Sequence, residues 1–513
     1  VLMYARLPSL SAEERLSRLA PIDLASARVE PAEAAARVPF APATLRVGML
    51  GARPVYRFGL GPYWVTVYAD SGEVLSGLAA EEAVGLARAF APERPTLRHD
   101  TLLEPDQWTL SAALRPLFPL HRVALGDSAG TVLYVSAPTG EPVLKSTQRE
   151  RLWGYLGAVV HWLYFTPLRR NTGLWVDVVV WVSIAGCVMC LSGLVWGVWR
   201  FSPFSRYRLK REAAHSPYAG LMKWHHYAGL VFGLTTFTWI FSGLMSMTPW
   251  DWSPGNSPTR REREAATGGP LNLDAVTLDR VRRSFEALSV QFVPREVEVS
   301  QFRGEPFALA YRPPDDGRTV PWLNTDFAAF VEPVSLERQL VWLASPERGT
   351  FSRFPPEALM DVARHALPEA AMVDAVWLDQ YDAYYYDQTG ARALPVLRAR
   401  YDDEADTWLY LDPFKGAVVQ KEVRRSRLER WLYHGLHSLD FPFLYRSRPL
   451  WDIVVIILSI GGVVLSVTTM VPAWRRLRRQ ARKWVRRTSG EAPPRPGEPE
   501  AASARYEGAR HPL

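Results

Sequence analysis

An internal repeat constrains this chain more than any other feature, because similar residues recur at a fixed offset of 276 positions. Residues 134–143 read YVSAPTGEPV, and residues 410–419 read YLDPFKGAVV. At the same offset His161 matches His437, and each copy then continues into a long apolar segment. A repeat of this kind indicates one structural unit used twice. The sequence therefore predicts a duplicated unit made of an extramembrane domain, a histidine and a membrane helix.

Three windows are long and apolar enough to span a bilayer, which takes about 20 residues of helix. They are residues 174–199, 224–250 and 450–474, and Trp or Tyr brackets each of them, as is typical of membrane interfaces. Mean hydropathy over the 513 residues is only −0.10, so soluble domains must accompany the spans. The predicted fold class is an integral membrane α-helical protein with three visible spans and tandem α+β extramembrane units.

The extramembrane segments show a helix followed by β-hairpins four times over, at roughly 31–77, 79–146, 272–333 and 355–423. The first residues resemble the outer end of the second span, which favours a fourth span before residue 1; a removed signal peptide is the alternative. In chain order we predict an N-terminal segment (1–30), a first pair of α+β units (31–150), a histidine-bearing amphipathic helix (151–173), a span (174–199), a basic loop (200–223), a span (224–250), a second pair of α+β units (251–425), a second histidine-bearing helix (426–449), a span (450–474) and a basic, then disordered, tail (475–513).

Basic residues predict the orientation of the spans. Residues 200–223 are rich in Lys and Arg with Glu212 as the single acid, and residues 475–487 are basic without any acid. The positive-inside rule places both stretches in the cytoplasm, so the α+β units lie outside. The net charge of +7 reflects these flanks, and no motif for nucleic-acid binding accompanies it.

Four histidines are the candidate cofactor ligands. His161 and His437 each precede a span by 13 residues on the outer side, whereas His225 and His226 begin the second span on the cytoplasmic side. An interfacial histidine is ordinarily a headgroup-layer residue, but two at repeat-equivalent positions can supply both axial nitrogens of haem b from opposite sides. His434 is a weaker candidate because its repeat counterpart is Ala158. The sequence offers no cysteine near these histidines, so a zinc site is less favoured.

The hairpins with the pattern Y-x-D/S-x-x-x-G-x-x-V, the arginines after them and the histidine before the span resemble the PepSY-associated transmembrane family. That family belongs to bacterial inner membranes and includes iron-regulated proteins and haem-containing reductases of ferric siderophores. The resemblance implies a second haem b, held by His225 or His226 together with a histidine outside this sequence. It also implies PepSY-like folds for the α+β units.

Two functions are therefore open. The first is a haem-b oxidoreductase of the inner membrane that passes electrons from an unidentified donor to a periplasmic acceptor such as a ferric siderophore, with membrane lipid as its surroundings. The alternative is a non-enzymatic, membrane-anchored PepSY module that binds or regulates a partner such as a protease. An aromatic run, 381–386, would form a docking face for the acceptor under the first function; ordinary strand packing is its other interpretation.

Overall fold

A computed structural model describes residues 5–90, 97–209, 212–312, 337–387 and 392–488 of the chain. The predicted disordered tail from residue 489 onward, and the first four residues used to infer a preceding span, lie outside the described residues. Contacts divide the chain into two units. The large unit comprises Val1–Ile184 and Ser242–Arg446, and the small unit comprises Ala185–Phe241 and Ser447–Leu513.

Among the described residues, three helices are long and apolar enough to cross a membrane, and they lie where the three apolar windows predict them. They are Thr172–Arg200, Leu221–Ser246 and Leu450–Thr488. The second ends four residues before the predicted window does, because Thr248 and Trp250 adopt left-handed backbone conformations. The third continues well beyond the window at residue 474, since the Arg, Lys, Ala and Gln residues that follow are good helix formers.

A six-stranded antiparallel sheet in the large unit joins strands that the repeat pattern assigned to two separate α+β units. The joint pairs Leu45 with Val299, Arg46 with Glu298, and Val47 with Val297. Pairing of these strands removes two open sheet edges. The strands, in spatial order, are Arg338–Trp342, Glu305–Tyr311, Val297–Phe302, Thr44–Leu50, Arg53–Leu60 and Tyr63–Tyr68.

Two further sheets of four strands repeat one another at the 276-residue offset. Their strand pairing is interrupted by a register shift at Tyr134 in the first sheet and at Tyr410 in the second. Both tyrosines are buried and donate to a carboxylate at 3.0 Å, which accounts for the tyrosine of the hairpin pattern. The strands are Arg98–Leu102, Leu120–Ala124, Val132–Ser136 and Pro142–Ser146 in one sheet, and Met372–Leu378, Val396–Tyr401, Trp408–Asp412 and Ala417–Glu422 in the other.

Short helices cover these sheets and bury their apolar faces against them. Leu278–Ser289, for example, buries Val281 and Leu288 in the core under the six-stranded sheet. The others are Ala12–Arg18, Pro31–Ala35, Ala80–Arg88, Arg260–Thr267 and Pro356–His365, with 3₁₀ turns at Ala112–Leu117, Pro249–Asp251, Leu273–Ala275 and Pro346–Arg348. The aromatic run at 381–386 is an irregular segment after strand Met372–Leu378, and its Tyr385 packs with Val396 and Tyr410 of the second four-stranded sheet.

A buried network of ion pairs ties the elements of the large unit together. Glu296 accepts from Arg15 at 2.7 and 2.9 Å, and Glu141 accepts from Arg46 at 3.0 and 3.1 Å. Arg57 lies 3.7 Å from Glu141. These residues come from the first helix, the six-stranded sheet and a hairpin of the four-stranded sheet, so the network links segments far apart in the chain.

In the small unit, glycines let the membrane-length helices pack closely against one another. A Cβ atom on Gly461 would lie 2.3 Å from a ring carbon of Phe232, and one on Gly233 would lie 2.7 Å from Leu194. Only glycine permits these approaches. The basic loop includes a short hairpin of strands Tyr207–Leu209 and Glu212–Ala214.

Candidate functional site

The two segments that carry the outer histidines have the same local structure, residue for residue. Each predicted amphipathic helix is instead a helix, a π-helical turn, a second short helix and a left-handed residue, Leu163 or Leu439. A short third helix then precedes the span. The segments are Gln148–Gly154, Tyr155–Val159, Val160–Trp162 and Thr166–Arg169 in the first copy, and Arg424–Arg430, Trp431–Gly435, Leu436–Ser438 and Pro442–Tyr445 in the second. π-Helical turns insert one extra residue into a helix and occur frequently at functional sites.

The structure brings His161 and His437 together within the large unit. Their ring centroids are 5.8 Å apart and the ring planes are inclined by 65°. The Nδ1 atom of His437 lies 3.0 Å from the hydroxyl of Ser242, a residue of helix Leu221–Ser246. Gly243 lies beside the same ring, since a Cβ atom there would be 3.7 Å from Cε1 of His437. A hydroxyl and a bare backbone therefore border the Nδ1–Cε1 edge of the His437 ring.

His161 is neutral at physiological pH. Partial burial of its ring, and then the neighbouring His437, lower the pKa of His161 to about 4. Part of the residue nevertheless remains accessible from outside. A neutral imidazole keeps a nitrogen lone pair, which is the form that binds a metal.

His434 adds a third imidazole next to this pair. Burial, the charge of Arg430 and the ring of His437 lower the pKa of His434 to about 4. The ring of Tyr433 bridges the two residues, with centroids 4.6 Å from His434 and 5.5 Å from His437. The repeat counterpart of Tyr433 in the first copy is Gly157, so this group of polar side chains is particular to the second copy.

Arg430 is the residue near this site that sequence reasoning missed. Its Nε donates to the carbonyl of Ala383 at 2.6 Å, and Nη2 donates to the carbonyl of Asp440. The guanidinium lies 4.5 Å over the rings of Tyr386 and Trp431. Within the described part of the chain, its buried Nη1 has no hydrogen-bond partner. The sequence offers one signal for Arg430. Its repeat counterpart is Gly154, so the two copies differ at this position, shortly before the matched histidines.

The inner pair of histidines lies in the small unit, and its two members differ. His226 is buried, with Nδ1 2.8 Å from the Ser216 hydroxyl and Nε2 2.8 Å from the carbonyl of Gly197. His225 contacts the hydroxyls of Thr468 and Thr469 at 3.1 Å, both through Nδ1. A metal-ligating histidine generally uses one nitrogen for the metal and the other for such a hydrogen bond. The geometry therefore favours His225 over His226 as a ligand.

Another histidine pair, His99 and His121, lies on neighbouring strands of the first four-stranded sheet. His99 Nε2 lies 2.9 Å from His121 Nδ1, and His121 Nε2 lies 2.8 Å from the carbonyl of Leu78. Across the described ranges, no group of three or more His, Cys, Asp or Glu side chains is gathered for a metal ion. Cys187 and Cys190 are both free thiols.

No protein-family model matches this chain, and no curated protein matches it significantly.

Proposed function

We propose that this chain is a haem-b oxidoreductase of the PepSY-associated type, which holds haem between His161 and His437 and passes electrons to a periplasmic acceptor. The observation that carries the proposal is the approach of two imidazole rings from repeat-equivalent positions, with centroids 5.8 Å apart. A metal lies about 2 Å from an imidazole nitrogen, so two nitrogens on opposite sides of it are about 4 Å apart and the ring centres somewhat farther. The 5.8 Å separation of the ring centroids is of this size and supports the proposal.

The residues around the pair fit haem in two further respects. Burial and the neighbouring His437 lower the pKa of His161, so its imidazole is in the neutral form that would bind the haem iron. The buried Nη1 of Arg430 has no hydrogen-bond partner among the described residues, which is costly for a cationic group unless an anion compensates it. Haem b carries two carboxylates, and Arg430 would balance part of their charge.

Haem b supplies one-electron transfer when it is bound. The chain itself binds through His161 and His437, and Ser242 fixes the orientation of the His437 ring through Nδ1. Tyr433 lies against the His437 ring and helps to exclude water from it. Exclusion of water and the hydrogen bonds of the ligands are how a protein sets the potential of such a group.

A second haem on the cytoplasmic side is part of the proposal, because the family resemblance implies it. His225 is the proposed ligand from this chain, because both of its hydrogen bonds within the described residues, to Thr468 and Thr469, use Nδ1 and leave Nε2 for a metal. The inner membrane is the proposed location, with the α+β units in the periplasm. The basic residues of 200–223 and 475–487 support that orientation.

A ferric siderophore is the proposed acceptor. Reduction is a chemically sensible way to release its iron, because iron(II) suits hard oxygen ligands far less well than iron(III) does. Of the aromatic run at 381–386, Tyr385 is buried, whereas Tyr381, Tyr384 and Tyr386 keep part of their surface accessible. These three tyrosines are the part of the run that the proposed docking face would use.

The first experiment is an absorption spectrum of the chain, purified in detergent, before and after chemical reduction. A Soret band and sharpened reduced-state bands are expected, and a colourless protein would instead favour the binding or regulatory module. His161→Ala and His437→Ala should each remove one equivalent of haem. His365→Ala is the matched control, since His365 is an exposed residue at the end of helix Pro356–His365.

The second experiment tests the reaction. Chemically reduced protein should be reoxidised by a ferric siderophore, and a chelator specific for iron(II) should capture the released metal. His437→Ala should lose this activity even where it still binds the siderophore. Equal rates in the wild type and His437→Ala would exclude the outer haem as the donor.

A further inference from the structure

A cavity of about 380 Å³ lies in the large unit beside the beginning of the first membrane-length helix. Three arginines line it, Arg115, Arg169 and Arg170, together with one acid, Glu104, and four apolar residues. Half of the lining residues are therefore apolar, and the charged half carries a net positive charge.

Glu104 neutralises only one of the three arginines. It lies 2.9 Å from Arg170, whose guanidinium also donates to the carbonyl of Pro105. Arg115 and Arg169 instead converge on one neutral atom, the hydroxyl oxygen of Thr172, at 2.6 and 2.9 Å. Neither of these two guanidinium groups forms an ion pair with a carboxylate in the described ranges. Two like charges that share one hydroxyl repel each other unless an anion lies between them.

Arg169 is held in place by the aromatic side chains around it. The residue is only 6% exposed, and its guanidinium lies 5.0 Å from the ring of Tyr164 and 4.6 Å from that of Trp175. Its Nε has no hydrogen-bond partner within the part of the chain that the structure describes. A buried, fixed and incompletely satisfied guanidinium lining a cavity indicates a missing acceptor.

The second copy of the repeat lacks this arrangement. Its equivalents of Pro105, Leu110 and Arg169 are Tyr381, Tyr386 and Tyr445. Tyr386 and Tyr445 stack with their ring centroids 5.5 Å apart, so large rings occupy the space that smaller residues leave open in the first copy. The cavity and its charges are thus a specific property of the first copy.

We propose that this cavity binds an oxyanion of the phosphate type, supplied either by the headgroup of an anionic phospholipid or by a free phosphate. Guanidinium groups bind phosphate oxygens through paired hydrogen bonds. Arg169 ends the short helix Thr166–Arg169, three residues before Thr172, where helix Thr172–Arg200 begins. The first residues of a spanning helix lie at the level of lipid headgroups, which makes a lipid the nearer source. The proposal does not depend on haem.

The test uses the whole chain in detergent, stripped of lipid and then supplemented. Native mass spectrometry measures binding of phosphatidylglycerol against phosphatidylcholine, and the midpoint of thermal unfolding measures the stabilisation that binding causes. Inorganic phosphate, compared with chloride at equal ionic strength, forms the separate arm for a free anion. Arg115→Gln is the main variant because Arg115 is exposed and its replacement should not prevent folding. Arg446→Gln, at the position equivalent to Arg170 in the second copy, is the control.

We expect wild type and Arg446→Gln to bind phosphatidylglycerol at least tenfold more tightly than Arg115→Gln does, with phosphatidylcholine bound weakly by all three. A response to inorganic phosphate with the same dependence on Arg115 would identify a free anion as the source. Equal binding of the two lipids by wild type, without a phosphate response, would overturn the proposal. So would an Arg115→Gln variant that behaves as wild type, or an equal loss in Arg446→Gln.

Discussion

Replacement of Glu296 by Gln should destabilise the large unit in a way that depends on pH. Burial opposes ionisation of this carboxyl, but the hydrogen bonds and charge of Arg15, and the charges of Arg46 and Arg57, outweigh it and lower the pKa to about 2. A shift from the ordinary value of 4.5 to about 2 corresponds to about 3 kcal/mol of stability, at about 1.4 kcal/mol per pKa unit. Removal of one partner from a buried ion pair generally costs about 3–5 kcal/mol, which agrees with the value derived from the pKa shift.

The direction of the pH dependence follows from the lowered pKa of Glu296. Because the pKa is lower in the folded than in the unfolded protein, the contribution is fully present above about pH 4.5 and is lost as the pH falls toward 2. At pH 7 the midpoint of thermal unfolding of Glu296→Gln should therefore lie roughly 5–10 °C below that of wild type. By pH 3 the difference in unfolding free energy should shrink to less than half.

The assay is thermal unfolding in a non-ionic detergent from pH 7 to pH 3, followed by tryptophan fluorescence. Arg46 lies 3.9 Å over the ring of Trp64, so one of the fluorophores adjoins the network directly. Glu347→Gln makes the same change of charge at an exposed position and should leave the midpoint within a degree or so of wild type. A difference between Glu296→Gln and wild type that is absent, or that stays constant down to pH 3, would refute the reasoning.

Two smaller changes test the surroundings of the histidine pair. If His437 holds haem as proposed, Ser242→Ala should weaken haem retention about tenfold, because hydrogen-bond partners of a ligand's second nitrogen contribute that much. Transfer of haem to an acceptor apoprotein measures retention, with Ser246→Ala as the control. Equal transfer rates in wild type and Ser242→Ala would contradict the role of Ser242. Gly157→Ala should destabilise the protein by about 1–3 kcal/mol, since its Cβ would lie 2.4 Å from the Cβ of Ala5. Gly85→Ala meets no atom within 4 Å and should be neutral or stabilising in the same unfolding assay.

The parts of the fold that depend on periodicity and length could be predicted from the sequence. Apolar windows located the three membrane-length helices, and the match of residue 134 with residue 410 identified hairpins that share even their register shift. The match of His161 with His437 led to a pair whose rings lie close together, although their role as ligands stays a prediction.

The shared six-stranded sheet could not be predicted in the same way. Alternation of apolar residues determines which face of a strand is buried, but it does not determine which strand lies at its edge. The pairing of Arg46 with Glu298 depends on the three-dimensional approach of two α+β units whose paired residues are 252 positions apart in the chain. For the same reason neither the Ser242 contact nor the position of Arg430 was visible, since a hydroxyl in a span and an arginine before one have many ordinary roles.

Duplication also explains why the candidate site is symmetric in its histidines and asymmetric in everything around them. The backbone of the two segments is the same, including left-handed Leu163 and Leu439 at φ 53° and 54°. In the first copy Gly154 and Gly157 let the chain at Ala5 pass close by, with Ala158 N donating to the Ala5 carbonyl at 3.2 Å.

In the second copy the same three positions are Arg430, Tyr433 and His434, so an arginine, a phenol and an imidazole border the histidine pair from one side only. A group held between the two histidines would therefore receive one ligand from each copy but most of its electrostatic environment from the second. The reduction potential of such a group should then respond to substitutions near His437 far more than to equivalent substitutions near His161.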